Sequence, residues 1–127
     1  MDDTQLPDKH PTIRVVPLPA DTNAYGDIFG GWLLSQMDLA GASMATDFVK
    51  GRVVTVGIDR MNFHKPVYVG DEVSFYTAIE RVGRTSLSIE IEAYARARTE
   101  KTVRKVTEGV FTFVAIDENR KPKEIKQ

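Results

Sequence analysis

Residues 31–49 read GWLLSQMDLAGASMATDFV, and this stretch decides the fold. At ~100° per residue, Gln36, Ser43, Asp47 and Lys50 gather into a stripe only ~40° wide. Trp32, Leu33, Leu34, Met37, Leu39, Ala42, Met44, Ala45, Phe48 and Val49 take up most of the remaining circumference. A helix this apolar is packed on several sides. It would run ~28 Å at 1.5 Å per residue. Gly51, directly after Lys50, is the expected stop.

Outward from the helix, everything downstream reads as strand. Arg52–His64 opens with Val53, Val54, Val56 and Ile58, then loses phase near Asp59–Met61, where a bulge is expected. Lys65-Pro66 and Val69-Gly70-Asp71 are turn signals. Glu72–Val82 sets Val73, Phe75, Thr77 and Ile79 on one face. Gly83-Arg84 reads as a tight turn. Ser86–Arg98 alternates Leu87, Ile89, Ile91, Ala93, Ala95 and Ala97 with Ser88, Glu90, Glu92, Tyr94 and Arg96, the pattern of a strand with one wet side. Val103–Ile116 is apolar on both faces near Val110–Val114, so it lies inside the sheet. Upstream, Thr12–Leu18 is a short strand whose Pro17 and Pro19 place it at an edge. Pro19–Gly30 shows no period; a loop that long in a small domain is usually functional. The pattern predicts an α+β domain, its antiparallel sheet wrapped around one long apolar helix. Residues 1–9 and 120–127 are expected to be flexible. A single helix leaves part of such a sheet uncovered, which predicts oligomerisation.

The composition excludes several function classes. The chain has 127 residues, of which 28% are charged, for a formal charge of −1. A broad nucleic-acid surface is therefore not expected. There is no cysteine, so disulfides, thiol catalysis and Cys-based zinc sites are ruled out. His10 and His64 are the only histidines, too few for a His-rich metal site; His64 reads as structural. No apolar run reaches the ~18–20 residues of a membrane span, and the start lacks a leader pattern, so the reading is cytoplasmic. No Gly-x-Ser-x-Gly elbow, dinucleotide fingerprint or P-loop occurs. Arg96, Arg98, Lys101, Arg104 and Lys105 form a basic cluster that reads as solvated surface or as a partner for phosphates.

Asp38 breaks the helix pattern. It stands opposite the polar stripe, on the side of Leu34, Ala42 and Ala45. An ionised carboxylate there loses hydration unless something compensates. By position alone it is either a paired structural carboxylate or a general base with a raised pKa. The preceding loop carries Asn23, and Gly30-Gly31 sits where the helix begins. Free amides at a helix start stabilise a developing oxyanion. Amide, glycine-rich helix start and carboxylate together fit acyl transfer.

The run Ala20-Asp21-Thr22-Asn23-Ala24-Tyr25-Gly26-Asp27-Ile28-Phe29-Gly30-Gly31-Trp32, continuing to Asp38, resembles the signature of hotdog-fold acyl-CoA thioesterases. Arg52–Val56, Phe63–Val67, Val69–Asp71 and Gly83–Ser86 are similar to other parts of that family, and the resemblance implies a single domain over residues 10–119. The resemblance implies a β-α-β-β-β-β hotdog that hydrolyses acyl-CoA to acid and CoA, with CoA as substrate and no cofactor or metal. It implies a homodimer with sites across the interface, often a trimer of dimers. Asp38 then matches the catalytic base or nucleophile, and Asn23 the amide that holds thioester or water. Gly30 and Gly31 match the amides facing the thioester oxygen. Thr55, Val56 and Gly57, with Arg84, Thr85 and Ser86, match segments that line CoA. Tyr25 stands where the family has a smaller polar residue. The alternative is a non-catalytic acyl-CoA sensor. A hotdog dehydratase would need a histidine in or near the helix, and none is there.

Overall fold

The computed structural model describes residues 5–126. Five strands form one antiparallel sheet: β1 (Ile13–Val15), β2 (Arg52–Phe63), β3 (Glu72–Val82), β4 (Ser86–Arg96) and β5 (Val103–Ile116). Their spatial order is β1-β3-β4-β5-β2, which leaves β1 and β2 as the edges. Helix α1 (Gly30–Val49) lies on one face and touches all four long strands. The β-α-β-β-β-β order and the sheet-around-helix layout are as expected.

The core forms where the helix's apolar arc meets the inward-facing alternation of the strands. Leu33, Met37, Ala40, Gly41 and Ala45 are buried on α1. Opposite them lie Phe75, Ile89, Ile91, Phe111 and Phe113, all fully enclosed. Gly41 sets the spacing. A Cβ there would lie 2.8 Å from Ile91 Cδ1 and 2.9 Å from Phe113 Cζ. The small residue lets the helix backbone rest on the sheet's side chains.

Several boundaries differ from expectation, each for a local reason. The helix ends at Val49 as expected, but the residue that closes it is Lys50 rather than Gly51: Lys50 takes the left-handed conformation at φ 55° and donates its N–H to the Thr46 carbonyl. The first strand shrinks to three residues because Pro17 and Pro19 cannot donate to a ladder, and Pro19 opens a 3₁₀ turn to Asp21. β4 ends at Arg96 rather than Arg98. The β2 register does shift between Asp59 and Asn62, as the lost phase predicted, with Arg60 at φ 49°. A second shift separates Thr55 from Gly57.

Two further expectations fail. The alternation puts Tyr94 on the wet face, yet it is buried edge-on against Tyr76 with Val103, and Leu6 of the N-terminal arm packs on the pair. The C-terminal segment is not loose. Asp117 and Lys121 close a turn, Lys123 N–H bonds the Ala115 carbonyl, and Ile125 N–H bonds the Arg84 carbonyl. Ile125 is only 8% exposed and joins the main core. Alternation beyond Ile116 was hidden by the charged neighbours of this one isoleucine.

Substituting Gly41→Ala tests the close approach. Overpacking costs about 1–3 kcal/mol, against roughly 1 kcal/mol gained in helix propensity. The net expected is a loss of up to about 2 kcal/mol in urea unfolding. A variant as stable as the parent would show that the helix lifts off freely.

Candidate active site

The loop before α1 is built around one side chain. Asn23 Oδ1 accepts from the backbone N–H groups of Tyr25 (2.9 Å) and Asp27 (3.1 Å), and Asn23 N–H returns a bond to the Asp27 carbonyl. Gly26 supplies the positive φ (88°) at the tip. Ile28 N–H then bonds Val67, and Phe29 N–H bonds Asp21, so the chain enters the helix tied on both sides. Because Oδ1 is consumed by the turn, only the Asn23 amide N–H₂ is left to offer a ligand. Tyr25 stands 90% exposed at the tip.

The helix start is uncapped. Phe29 occupies the cap position and provides no side-chain bond. The Gly30 and Gly31 N–H groups have no acceptor among the described residues. They carry the positive end of the helix dipole with no side chain in the way. The Phe63 ring would lie 3.4 Å from a Cβ on Gly30, so a larger residue would crowd the entrance. Asn23, Gly30, Phe63 and His64 share a groove of about 290 Å³ at this point.

Asp38 lies elsewhere. Thr55 Oγ1 donates to Asp38 Oδ1 at 2.6 Å, and among the described residues no cation pairs with this carboxylate. Asp47 shows the contrast: it is bonded to Lys50 at 2.8 Å in open solvent, which holds its carboxyl below the usual range. The expected enclosure of Asp38 is not met within one chain. It is half-buried at the border between the packed arc and an open arc holding Gly31, Ser35 and Leu39, the last 59% exposed. The helix is apolar over more of its circumference than this sheet covers.

The remaining site residues fall into two groups. Thr55, Val56 and Gly57 lie on the open edge strand β2; Val56 is 58% exposed, and a Cβ on Gly57 would meet nothing within 4 Å. Thr55, which the resemblance assigns to CoA, donates to Asp38. Arg84, Thr85 and Ser86 form the β3–β4 turn, two strands away across β5: Ser86 pairs Val114, which pairs Val54. One chain therefore brings Asn23 to Gly30 and Thr55 to Asp38, but does not bring these pairs together. Phe63 and His64 line the groove, and His64 Nε2 lies 3.4 Å from Glu108. Phe63–Val67 is part of the family resemblance, but His64 reads as structural because nothing in the sequence shows that the end of β2 arrives beside the helix start. The basic cluster is broken up: Arg104 is committed to Asp71 and to the Tyr68 ring, Arg96 to Glu72, and Lys105 to Glu92 and Glu108.

Among the described residues, no group of three His, Asp or Glu side chains is placed to hold a metal ion, and no helix is long and apolar enough to cross a membrane. The sequence profile of the thioesterase superfamily matches residues 25–102, from the Asn23 loop through β4. The chain belongs to the thioesterase superfamily. Among its relatives in this superfamily, an uncharacterised acyl-CoA thioester hydrolase of Zymomonas mobilis is 50% identical over 116 residues, covering 91% of this chain and 78% of the relative. The acyl-CoA thioester hydrolase YciA of Escherichia coli is 46% identical over 114 residues, covering 87% and 86%. The hexameric thioesterase y2039 of Yersinia pestis superposes with a TM-score of 0.90 at 45% identity, covering 96% of this chain and all of the other. The hotdog layout is that of this superfamily.

Two measurements check the local geometry. Asn23→Ala should speed amide exchange at Tyr25 and Asp27 by NMR, whereas Asn23→Asp keeps an acceptor and should leave both protected. Glu108 sits below the ordinary glutamate range, chiefly through its hydrogen bond from Lys105, against the opposing effect of burial. A lowered carboxylate contributes stability that is present above its unfolded pKa of about 4.3 and is lost as pH falls through the lowered folded value. Lys105→Met should therefore move the onset of acid unfolding to higher pH in a circular-dichroism titration.

Proposed function

We propose that this thioesterase-superfamily chain hydrolyses acyl-CoA to a free acid and CoA in the cytoplasm, and that its site forms between two copies. The observation that carries the reading is a carboxylate on α1 with no cation beside it among the described residues, on the same helix whose Gly30 and Gly31 amides have no acceptor among them. The relatives named as acyl-CoA thioester hydrolases support the substrate.

The two groups serve one thioester only across an interface. Asp38 is eight residues into the helix, about 12 Å from Gly30 along the axis. The Gly30 and Gly31 amides point away from it, so an oxygen they bind lies roughly 15 Å from Asp38 Cα. A base, its water and the attacked carbonyl span only about 7 Å. A two-fold axis that sets two α1 helices antiparallel brings Asp38 of one copy to the helix start of the other. The open arc of Gly31, Ser35 and Leu39 and the bare outer edge of β2 are the surfaces this pairing covers. Further assembly into a trimer of dimers agrees with the hexameric relative.

In that site the Gly30 and Gly31 amides, with the Asn23 amide N–H₂, hold the thioester oxygen and the charge that grows on it. Asp38, oriented by Thr55, takes a proton from water as the water oxygen bonds the carbonyl carbon. The tetrahedral intermediate collapses, the C–S bond breaks, and the proton on Asp38 passes to the departing CoA sulfur. Direct attack by Asp38 on the carbonyl, followed by hydrolysis of the anhydride, gives the same products. Neither route needs a metal or cofactor.

Asp38→Asn should lower thiol release from acyl-CoA by about 10²-fold or more while the melting temperature holds. Mixing the inactive Asp38→Ala and Asn23→Asp chains then tests the shared site. Random pairing should restore about a quarter of the parent activity, because half the dimers are hybrids with one intact site each. No recovery would place the whole site in one chain. Tight acyl-CoA binding by the parent without thiol release would identify a sensor instead.

A further inference from the structure

We propose that the C-terminal segment 117–126 is part of the substrate site: it pins the β3–β4 turn and carries cations that receive the phosphate-bearing end of CoA. The inference rests on the acyl-CoA reading above and adds residues which that reading leaves out.

The segment's bonds converge on the turn. Ile125 N–H bonds the Arg84 carbonyl at 2.8 Å, and Lys123 N–H bonds the Ala115 carbonyl at 2.8 Å. Ala115 N–H in turn bonds the Thr85 carbonyl at 2.9 Å, and Gly83 N–H closes the turn on Ser86 at 2.7 Å. The buried Ile125 side chain anchors the far end in the core. The segment is thus an extra strand-like clip on the turn that is proposed to line CoA, and a hairpin tip that would otherwise be free is held at two points.

Charge makes the clip more than a brace. Arg52, Arg84, Arg120, Lys121, Lys123 and Lys126 gather at this end of the sheet, all exposed, against Asp117, Glu118 and Glu124. The whole chain carries a formal −1, so this end runs opposite to the rest. None of the six cations is held in an ion pair among the described residues, whereas Arg96, Arg104 and Lys105 on the far end all are. Arg52 and Lys123 share the wall of a cavity of about 270 Å³ with Asp117 and Glu118. Asp117 is committed: its Oδ1 accepts the N–H groups of Asn119 and Lys121. Glu118 is the one uncommitted carboxylate on that wall. Unpaired lysines and arginines beside a rigid turn suit phosphates, whose charge they meet without first breaking another contact.

Steady-state kinetics with two substrates tests this. One is an acyl-CoA; the other is the matching acyl N-acetylcysteamine thioester, which has the reacting bond and no phosphate. The double substitution Lys121→Ala with Lys123→Ala keeps the backbone bonds and should raise KM for the acyl-CoA about tenfold, with a far smaller change in kcat. KM for the phosphate-free thioester should stay within twofold. Ile125→Gly, which loosens the clip, should shift KM the same way. High salt should raise the parent's KM toward that of the double variant. Equal KM changes on both substrates, or none, would overturn the proposal. If the parent releases no thiol from any acyl-CoA, the hydrolase reading is what has failed. Calorimetry with CoA then decides the segment's part: binding weakened in the double variant supports it, and unchanged binding overturns it.

Discussion

Gly41 resting on Phe113 and Ile91 governs the rest of the molecule. Without a side chain at that position the helix axis comes close to the sheet, and its rotation is set by what must fit beneath it. Met37 and Ala45, one turn to either side, turn inward with it. Asp38 follows at about 60° from Gly41 on the helical wheel, at the margin of the contact. The carboxylate is therefore held at a rim. Thr55 reaches it from β2 because the same contact brings that strand alongside the helix.

The rim position reconciles two demands that conflict inside a single small domain. A carboxylate that accepts a proton from water must be dry enough to be basic and open enough to admit a substrate. Burying Asp38 in the monomer would close the access; leaving it in the open would solvate it as Asp47 is solvated. Half-exposure next to Leu39 and Ala42 leaves Asp38 between the two. In the proposed dimer, a second copy laid over the open arc is what removes water from Asp38 and delivers a helix start to it. The exposed apolar side chains of β2 and α1 belong, on that proposal, to a site as much as to an interface.

The strand registers extend the same logic to the substrate. The shift between Thr55 and Gly57 leaves Val56 unpaired on an open edge beside the carboxylate. The β3–β4 turn, clipped by Ile125, stands two strands away at the same end of the sheet. In the proposed site, reaction and recognition are separated by about 10 Å of sheet, a distance that a long flexible thioester carrier spans and a small acid does not.

Much of this was readable in the residues themselves. The helix, four long strands, the bulge after Asp59 and the inner position of β5 follow from periodicity, because hydrophobic spacing reports which face of an element is buried. The Asn23, Gly30-Gly31 and Asp38 spacing pointed to acyl chemistry, since each group's chemical capacity is local. Tertiary structure alone decided how those groups are placed. Asp38 is not enclosed by its own chain, because burial depends on what packs against a face and not on how apolar the face is. Asn23 spends its oxygen on its own loop, His64 lines the groove, and Ile125 locks a charged tail that reads as loose. The Asn23 bonds are local, within four residues, but the places of His64 and Ile125 depend on partners from distant parts of the chain, and no local pattern records which strand will arrive alongside.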